Sequence, residues 1–338
     1  MNKVRYIYRE YLAEYDLDIR LFDIWGLKIE DLYPLRKVFI INSSEKKYIL
    51  KRVNYTKEFN EFLNESLEYI RKKFNYILEI EKTKDGKYIA EYAGKSYVLI
   101  NLIEGRECSV ENPIDLQLAT RGIANLHRAG IGIKDKVSKQ FQTYNQVINL
   151  CPSNIAELER LKLQVLNYEY KDEFDTRFLG EVNYIINELK ICDSMIQAIN
   201  LKRINENMEA IVLCHNDLAY HNILIKDQEA YFIDFDYCSI DYRVKDIAEF
   251  IVKSIKSTDY DKEMYEIIIA EYEAINRLDE EEKKLLKVFL RYPKEIVELI
   301  INYYYKRKNW TQETFISLMD TKIEQEKQKV QFWNSNFK

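Results

Sequence analysis

Glycine is scarce in this chain, with 8 copies in 338 residues and none after Gly180. Any site built from the second half must therefore form its loops without glycine. The five cysteines (Cys108, Cys151, Cys192, Cys214, Cys238) are dispersed and show no C-x-x-C spacing. That excludes a zinc ribbon or a disulfide framework and reads as reduced thiols. Among the 3 histidines, His215 and His221 lack a third ligand at a familiar zinc spacing. No apolar run approaches a membrane span, and the opening MNKVRYIYREYLAEYDLD carries acids where a signal peptide is apolar. Synthesis and folding in the cytosol, away from membranes, are expected. A net charge of −5 gives no general electrostatic reason for nucleic-acid binding.

What is present suits a sizeable globular protein. Apolar residues make up 47% and charged residues 32% of a length that allows two packed lobes. The 27 tyrosines fit a chain rich in Lys, Ile, Glu and Asn; a surface set for oxidative cross-linking is the other reading. Helical spacing opens the chain (Tyr6, Tyr8, Leu12, Tyr15), and an irregular stretch follows to about Leu35. Val38 to Ile41 and Tyr48 to Leu50 are short apolar runs joined by a polar hairpin over 42–47. Phe59, Phe62, Leu63, Leu67 and Ile70 then repeat at helical spacing. Strands are expected over Lys87 to Tyr92 and Tyr97 to Leu102, with a turn at Ala93 to Lys95. From Pro113 onward the pattern is helical, with Pro152 the clearest breaker, and strands return only over 211–236. A lobe boundary near Gly105 follows, giving 1–104 as a small antiparallel sheet with one helix and 105–338 as a mainly helical lobe.

Residues 211–236, IVLCHNDLAYHNILIKDQEAYFIDFD, carry the chemistry. An apolar strand runs into His215-Asn216-Asp217, Asn222 precedes a second strand, and a third strand ends on Asp234-Phe235-Asp236. Asp and Asn commonly cap turns, but no turn requires H-x-D-x-x-x-x-N followed at hairpin spacing by D-x-D. Phosphoryl transfer does require such a set, because it needs a base for the attacking hydroxyl and hard oxygen ligands for Mg²⁺. Asp217 is the candidate base, and Asn222 and Asp234 are the candidate metal ligands. Asp236 is either a second ligand or a loop cap. His215 reads as a structural support of the loop. Cys214 and Cys238 read as small core residues.

Lys51 closes the strand YILKRV, where a lysine can reach nucleotide phosphates while Arg52 faces the other way. Its expected partner is a glutamate of the following helix. Glu58 and Glu65 border the apolar face, Glu61 and Glu68 point away from it, and Glu65 is the choice.

These residues, in this order, resemble the aminoglycoside phosphotransferase and choline kinase group of protein-kinase-like folds. Within that group YILKRV, YVLINLIEGREC, IDFDYCSIDYRVKDIAEFI and RYPKEIVELIINYYYKRKNW resemble the CotS-type spore-coat proteins of endospore-forming bacteria. The resemblance implies a bilobal α+β kinase-like fold with ATP between the lobes. It also implies adenine contacts from the backbone around Asn101 and Ile103, and an Asp246 that braces the catalytic loop. Two departures stand out. The 42–47 hairpin has no glycine, so either Ser43 and Ser44 substitute at the phosphates or nucleotide binding is weak, and Asn216 stands where many relatives carry glycine. Two functions follow from the resemblance. One is an ATP- and Mg²⁺-dependent phosphotransferase acting on a hydroxyl of a small polar or sugar-like acceptor. The other is an inactive structural or assembly protein of the spore coat, whose partners would be other coat proteins.

Overall fold

The computed structural model describes residues 17–258 and 260–336. The helix expected around Tyr6 to Tyr15 lies outside them. The chain divides into two compact units, one of Met1–Cys108 with Tyr220–Asp236, the other of Ser109–Ala219 with Tyr237–Lys338. A single division at 104 did not anticipate that 220–236 joins the first unit. The reason is backbone pairing, described below.

In the first unit β1 (Ile29–Leu35), β2 (Val38–Ser43), β3 (Lys47–Val53), β4 (Ile80–Glu81), β5 (Ala90–Tyr92) and β6 (Lys95–Asn101) form one antiparallel sheet. Its order is β1-β2-β3-β6-β4, and β5 also pairs with β6. β1 occupies a stretch that reads as irregular, and its Pro34 is tolerated because β1 is an edge strand. The strand expected over Lys87 to Tyr92 is confined to β5. One sheet face carries Leu32, Phe39, Ile41, Tyr48, Leu50, Tyr97 and Leu99, closed by Leu21 and Phe22 of a 3₁₀ turn over Ile19–Ile24. Alternation along β3 points Lys51 away from that cluster. α1 (Lys57–Arg71) starts at Thr56, whose hydroxyl accepts the Phe59 N–H at 3.1 Å, and buries Phe62, Leu63, Leu67 and Ile70.

β7 (Arg106–Glu107) pairs with β9 (Ile223–Lys226), and β9 pairs with β10 (Glu229–Phe232). The Phe232 N–H also donates to Tyr76 O, and Leu78 N–H to Phe232 O, each at 2.9 Å. The β9–β10 turn places Asp227 (φ 51) and Gln228 (φ 61) in the left-handed region, as a two-residue type I′ hairpin requires.

The second unit is mainly helical: α2 (Pro113–Ala129), α3 (Val147–Leu166), α4 (Glu173–Gln197), α5 (Leu201–Glu206), α6 (Arg243–Lys256), α7 (Lys262–Glu273), α8 (Glu280–Arg291), α9 (Lys294–Tyr304) and α10 (Gln312–Asn336). Pro152 does not break the chain but lies inside α3. It comes early in the helix, so it deprives only the Ile148 carbonyl of a helical donor. The strands β8 (Ile211–Cys214) and β11 (Ser239–Tyr242) pair antiparallel, and every residue of β8 is buried. The end of α2 meets β8 closely: a Cβ on Gly130 would lie 3.2 Å from Leu213 N. Arg243 and Glu282, each 1% exposed, form a bidentate pair at 2.7 and 2.9 Å that fastens α6 to α8.

Candidate functional site

Lys51 sits mid-sheet, paired opposite Val38 on β2 and Val98 on β6, so its backbone is fixed on both sides. Its Nζ donates to Asp234 Oδ1 and to Asp236 Oδ2, each at 2.7 Å. The Tyr55 hydroxyl donates to Asp236 Oδ1 at 2.5 Å. Burial works against the Lys51 charge, but the adjacent Asp236 and Asp234 outweigh it and raise its pKa. Asp234 follows β10 with φ 66, and the preceding Ile233 N–H donates to Asn222 O at 3.1 Å. Asn222 itself is 3% exposed. Lys51, Asn222, Asp234 and Asp236 thus belong to the same compact unit.

The expected partner of Lys51 is not where the sequence suggested. Glu65 is exposed on α1 and makes no ion pair with Lys51. The buried positions that flank it are Asn64 and Ser66. Tyr55, by contrast, escaped the sequence reading, because a lone tyrosine before a helix cap carries no signal among 27.

Ser43 is committed to its own turn. Its hydroxyl donates to Lys46 O at 2.8 Å and accepts the N–H groups of Glu45 (3.4 Å) and Lys46 (3.2 Å). Ser44 is exposed. Past β6, the Asn101 side-chain amide donates to Glu79 Oε2 at 2.6 Å, while its Oδ1 is buried without a partner. Among the described residues the Ile103 N–H has no hydrogen-bond acceptor.

In the second unit a separate network is built on Asp246, near the start of α6. This carboxylate is 0% exposed and accepts the backbone N–H groups of His215 (2.6 Å) and Asn216 (2.8 Å). His127 Nε2 lies 3.2 Å from the same carboxylate, and His127 Nδ1 lies 2.7 Å from the Tyr272 hydroxyl. Burial alone would raise the Asp246 pKa; hydrogen bonding from His127 and the backbone donors lowers it overall. His127 was readable only as one of several residues on the buried face of α2.

The loop after β8 takes its sharp turn at Asn216, with φ 61. Glycine is the usual occupant of that conformation, and asparagine is among the few side chains that tolerate it. The Asn216 amide adds bonds to Tyr237 O at 2.9 Å and Ser239 Oγ at 2.8 Å. His215, 0% exposed, accepts the Asp217 N–H on Nδ1 at 3.3 Å, a support to the loop backbone. Asp217 pairs with Lys253 Nζ of α6 at 2.8 Å, and that lysine also holds Glu249 at 2.7 Å. Lys253 belongs to no motif, and nothing in its neighbourhood along the chain singles it out. All five cysteines are buried, and burial pushes the Cys214 thiol well up, which fits packing and not nucleophilic chemistry.

With this geometry in hand, comparisons with known proteins agree with one another. The family model described as Spore coat putative kinase YutH matches residues 19–336. The solved aminoglycoside phosphotransferase from Alicyclobacillus acidocaldarius is similar in fold, with a TM-score of 0.78 at 14% identity, over 94% of this chain and 95% of that one. Spectinomycin phosphotransferase APH(9)-Ia, solved with ADP and spectinomycin, gives a TM-score of 0.69 at 16% identity over 95% and 98%. Choline kinase from Cryptosporidium parvum Iowa II gives 0.57 at 13% over 96% of each. At these identities the likeness is one of fold, and it bears out the α+β, protein-kinase-like class expected from the sequence. Among the described residues no helix is long and apolar enough to cross a membrane.

Proposed function

The chain belongs to the Spore coat putative kinase YutH family, and from that premise we propose that it is an ATP-dependent phosphotransferase acting on a hydroxyl of a small polar or sugar-like acceptor. One observation carries the reading. The Lys51 ammonium lies 2.7 Å from the carboxylates of both Asp234 and Asp236, so a fixed cation already occupies a pair of oxygen donors beside Asn222. Hard oxygen donors that gather a positive charge are what Mg²⁺ requires. Asn222 and Asp234 would hold that ion, which supplies charge neutralisation at the transferring phosphoryl group. Lys51 would turn its ammonium from Asp234 to phosphate oxygens. Asp217, on a loop held by Asp246, would orient the acceptor hydroxyl and take its proton. The unpartnered Ile103 N–H offers a backbone donor to an adenine edge. Cytosolic synthesis followed by association with the coat fits both the family and the composition.

A second reading, a coat-assembly module without catalysis, is favoured by one specific feature. Ser43 spends its hydroxyl on its own turn, which leaves the glycine-free hairpin poorly equipped to hold phosphates.

Thermal unfolding with ATP, with and without Mg²⁺, separates the two. An enzyme should show a metal-dependent rise in melting temperature that grows with ligand excess over Kd. Asp234→Ala should abolish the metal-dependent part, and Asp217→Asn should keep the shift while turnover falls roughly 10²–10⁴-fold. No metal-dependent shift at millimolar nucleotide would rule for the assembly module.

A further inference from the structure

Sequence patterning offered Asp236 as either a second metal ligand or a loop cap. The geometry points to a third role. We propose that Asp236, fixed by Tyr55, is the anchor of Lys51, taking the part expected of a helix glutamate, and that Asp234 is thereby the carboxylate left for the divalent cation. The second half of this statement rests on the phosphotransferase reading; the first half does not.

Consider first where the donors come from. Asp236 Oδ2 accepts from Lys51 and Oδ1 accepts from Tyr55, so each carboxylate oxygen is engaged by a separate donor. Both donors stand on one stretch of chain, β3 and the residues that lead to the Thr56 cap of α1. β3 is paired through Val53 opposite Ser96, and the Tyr55 ring makes an edge contact with Phe59 at 5.1 Å. The clamp on Asp236 is therefore made by a rigid element. A metal at Asp236 would have to compete with both donors.

Asp234 differs. Its side chain is 41% exposed against 28% for Asp236, and its backbone is held in the left-handed region at φ 66. Lys51 can leave Asp234 and remain bound to Asp236, but the converse would strand the Tyr55 bond with no lysine beside it.

The helix cannot provide the missing partner. Glu58, Glu61 and Glu65 are exposed, and Glu61 faces Lys57 at 3.8 Å. Glu68 is taken by the Tyr88 hydroxyl and lies 3.6 Å from Lys82. At the buried positions of α1 stand Asn64 and Ser66, and Asn64 turns back to Asn60 at 2.8 Å. With no carboxylate on the buried face, the lysine's anchor has moved to the loop that follows the candidate metal ligand.

The test reads the lysine directly. Lysine ammonium groups held by strong hydrogen bonds exchange protons with water slowly enough to be seen in ¹⁵N-lysine spectra, and Lys51→Arg assigns the resonance. Nucleotide-free protein should show a Lys51 ammonium signal that persists in Asp234→Asn and vanishes in Asp236→Asn. Tyr55→Phe, which keeps the ring and its packing, should speed exchange of that ammonium roughly tenfold, the scale of losing one hydrogen bond to a charged group. Absence of the wild-type signal, or its loss in Asp234→Asn with survival in Asp236→Asn, overturns the anchor. Unchanged exchange in Tyr55→Phe overturns the clamp even if Asp236→Asn fails to fold. Addition of ADP with Mg²⁺ should then move the Lys51 resonance in the wild type without broadening it away. A resonance that ignores nucleotide counts against the phosphotransferase reading and leaves the anchor standing, so the two failures are distinguishable.

Discussion

Two charged networks in this molecule are built on opposite terms. The one around Asp246 is sealed: Asp246, His127 and His215 are 0–1% exposed, and the carboxylate is surrounded by two backbone N–H groups and an imidazole. The one around Lys51 is half open, with side-chain exposures of 19%, 41% and 28% for Lys51, Asp234 and Asp236. Buried charge is tolerable only when fully hydrogen-bonded, and once satisfied it becomes expensive to disturb. A half-open cluster can exchange one partner for a ligand at little cost. The first network is suited to holding a loop and the second to changing its bonds.

That contrast can be broken by stability measurements. Asp246→Ala should destabilise the protein by about 3–5 kcal/mol, since it leaves one buried and one partly buried N–H group and a buried histidine without their acceptor. Lys51→Met should shift stability by no more than about 1 kcal/mol, because partly solvated pairs are worth little. Urea denaturation with an unchanged slope would show both. Equal losses in the two variants would mean that the Lys51 cluster is part of the framework and that no functional distinction separates the networks.

Acid sharpens the same comparison. The folded-state pKa of Asp246 lies below its ordinary 3.8. A depressed carboxylate contributes stability that is complete above the unfolded value and is lost as pH falls through the folded one. The stability advantage of wild type over Asp246→Asn should therefore be flat from neutral pH down to about 4 and then narrow at lower pH. An advantage that stayed constant down to pH 2 would show that the lost hydrogen-bond geometry, and not the charge, is what Asp246 contributes.

Lys253 joins the two themes, because it ties the candidate base to α6 while remaining 28% exposed. Burial disfavours its charge, but Glu249 and Asp217 raise its pKa overall, so it stays protonated across neutral pH. Lys253→Met should leave stability within about 1 kcal/mol and reduce turnover roughly tenfold by letting the Asp217 side chain drift from its productive orientation. A drop of several kcal/mol in stability would assign Lys253 to the sealed network and free Asp217 from depending on it.

Much of this was legible in the chain. The strand-loop-strand spacing around His215, Asp217, Asn222 and Asp234 drew out the candidate site, and short apolar runs and helical spacing placed β2, β3, β6 and α1. Asp246 was found through resemblance, and the structure gives the physical reason: it accepts two loop N–H groups. Other features had no local signature. Helical spacing put Glu65 at the border of the apolar face of α1, but it could not tell that the lysine's partners would come from a loop 183 and 185 positions away. Tyr55, His127 and Lys253 matter through contacts distant in sequence, and single residues of common types do not announce such contacts. The missing glycines were visible, and their replacements were not. Asn216 and Asp234 both adopt the left-handed backbone, at φ 61 and φ 66, so an asparagine and an aspartate make the turns of the candidate site.

The smallest effect concerns the hairpin between β2 and β3. Sequence reading offered Ser43 and Ser44 as stand-ins for a glycine-rich loop, yet the Ser43 hydroxyl closes the turn through Lys46 O and two N–H groups. Its loss should therefore act on the fold. Ser43→Ala is expected to cost about 1 kcal/mol of stability, the net worth of a typical hydrogen bond, and Ser44→Ala, at an exposed position, should cost nothing measurable. Neither should change ATP affinity if the half-open Lys51 cluster carries the phosphate contacts by itself. Titrating both variants with ATP by calorimetry decides the matter. A weakening of roughly tenfold or more in Ser44→Ala, where no turn bond is lost, would restore the hairpin to the nucleotide site and place a second phosphate-binding element beside Lys51.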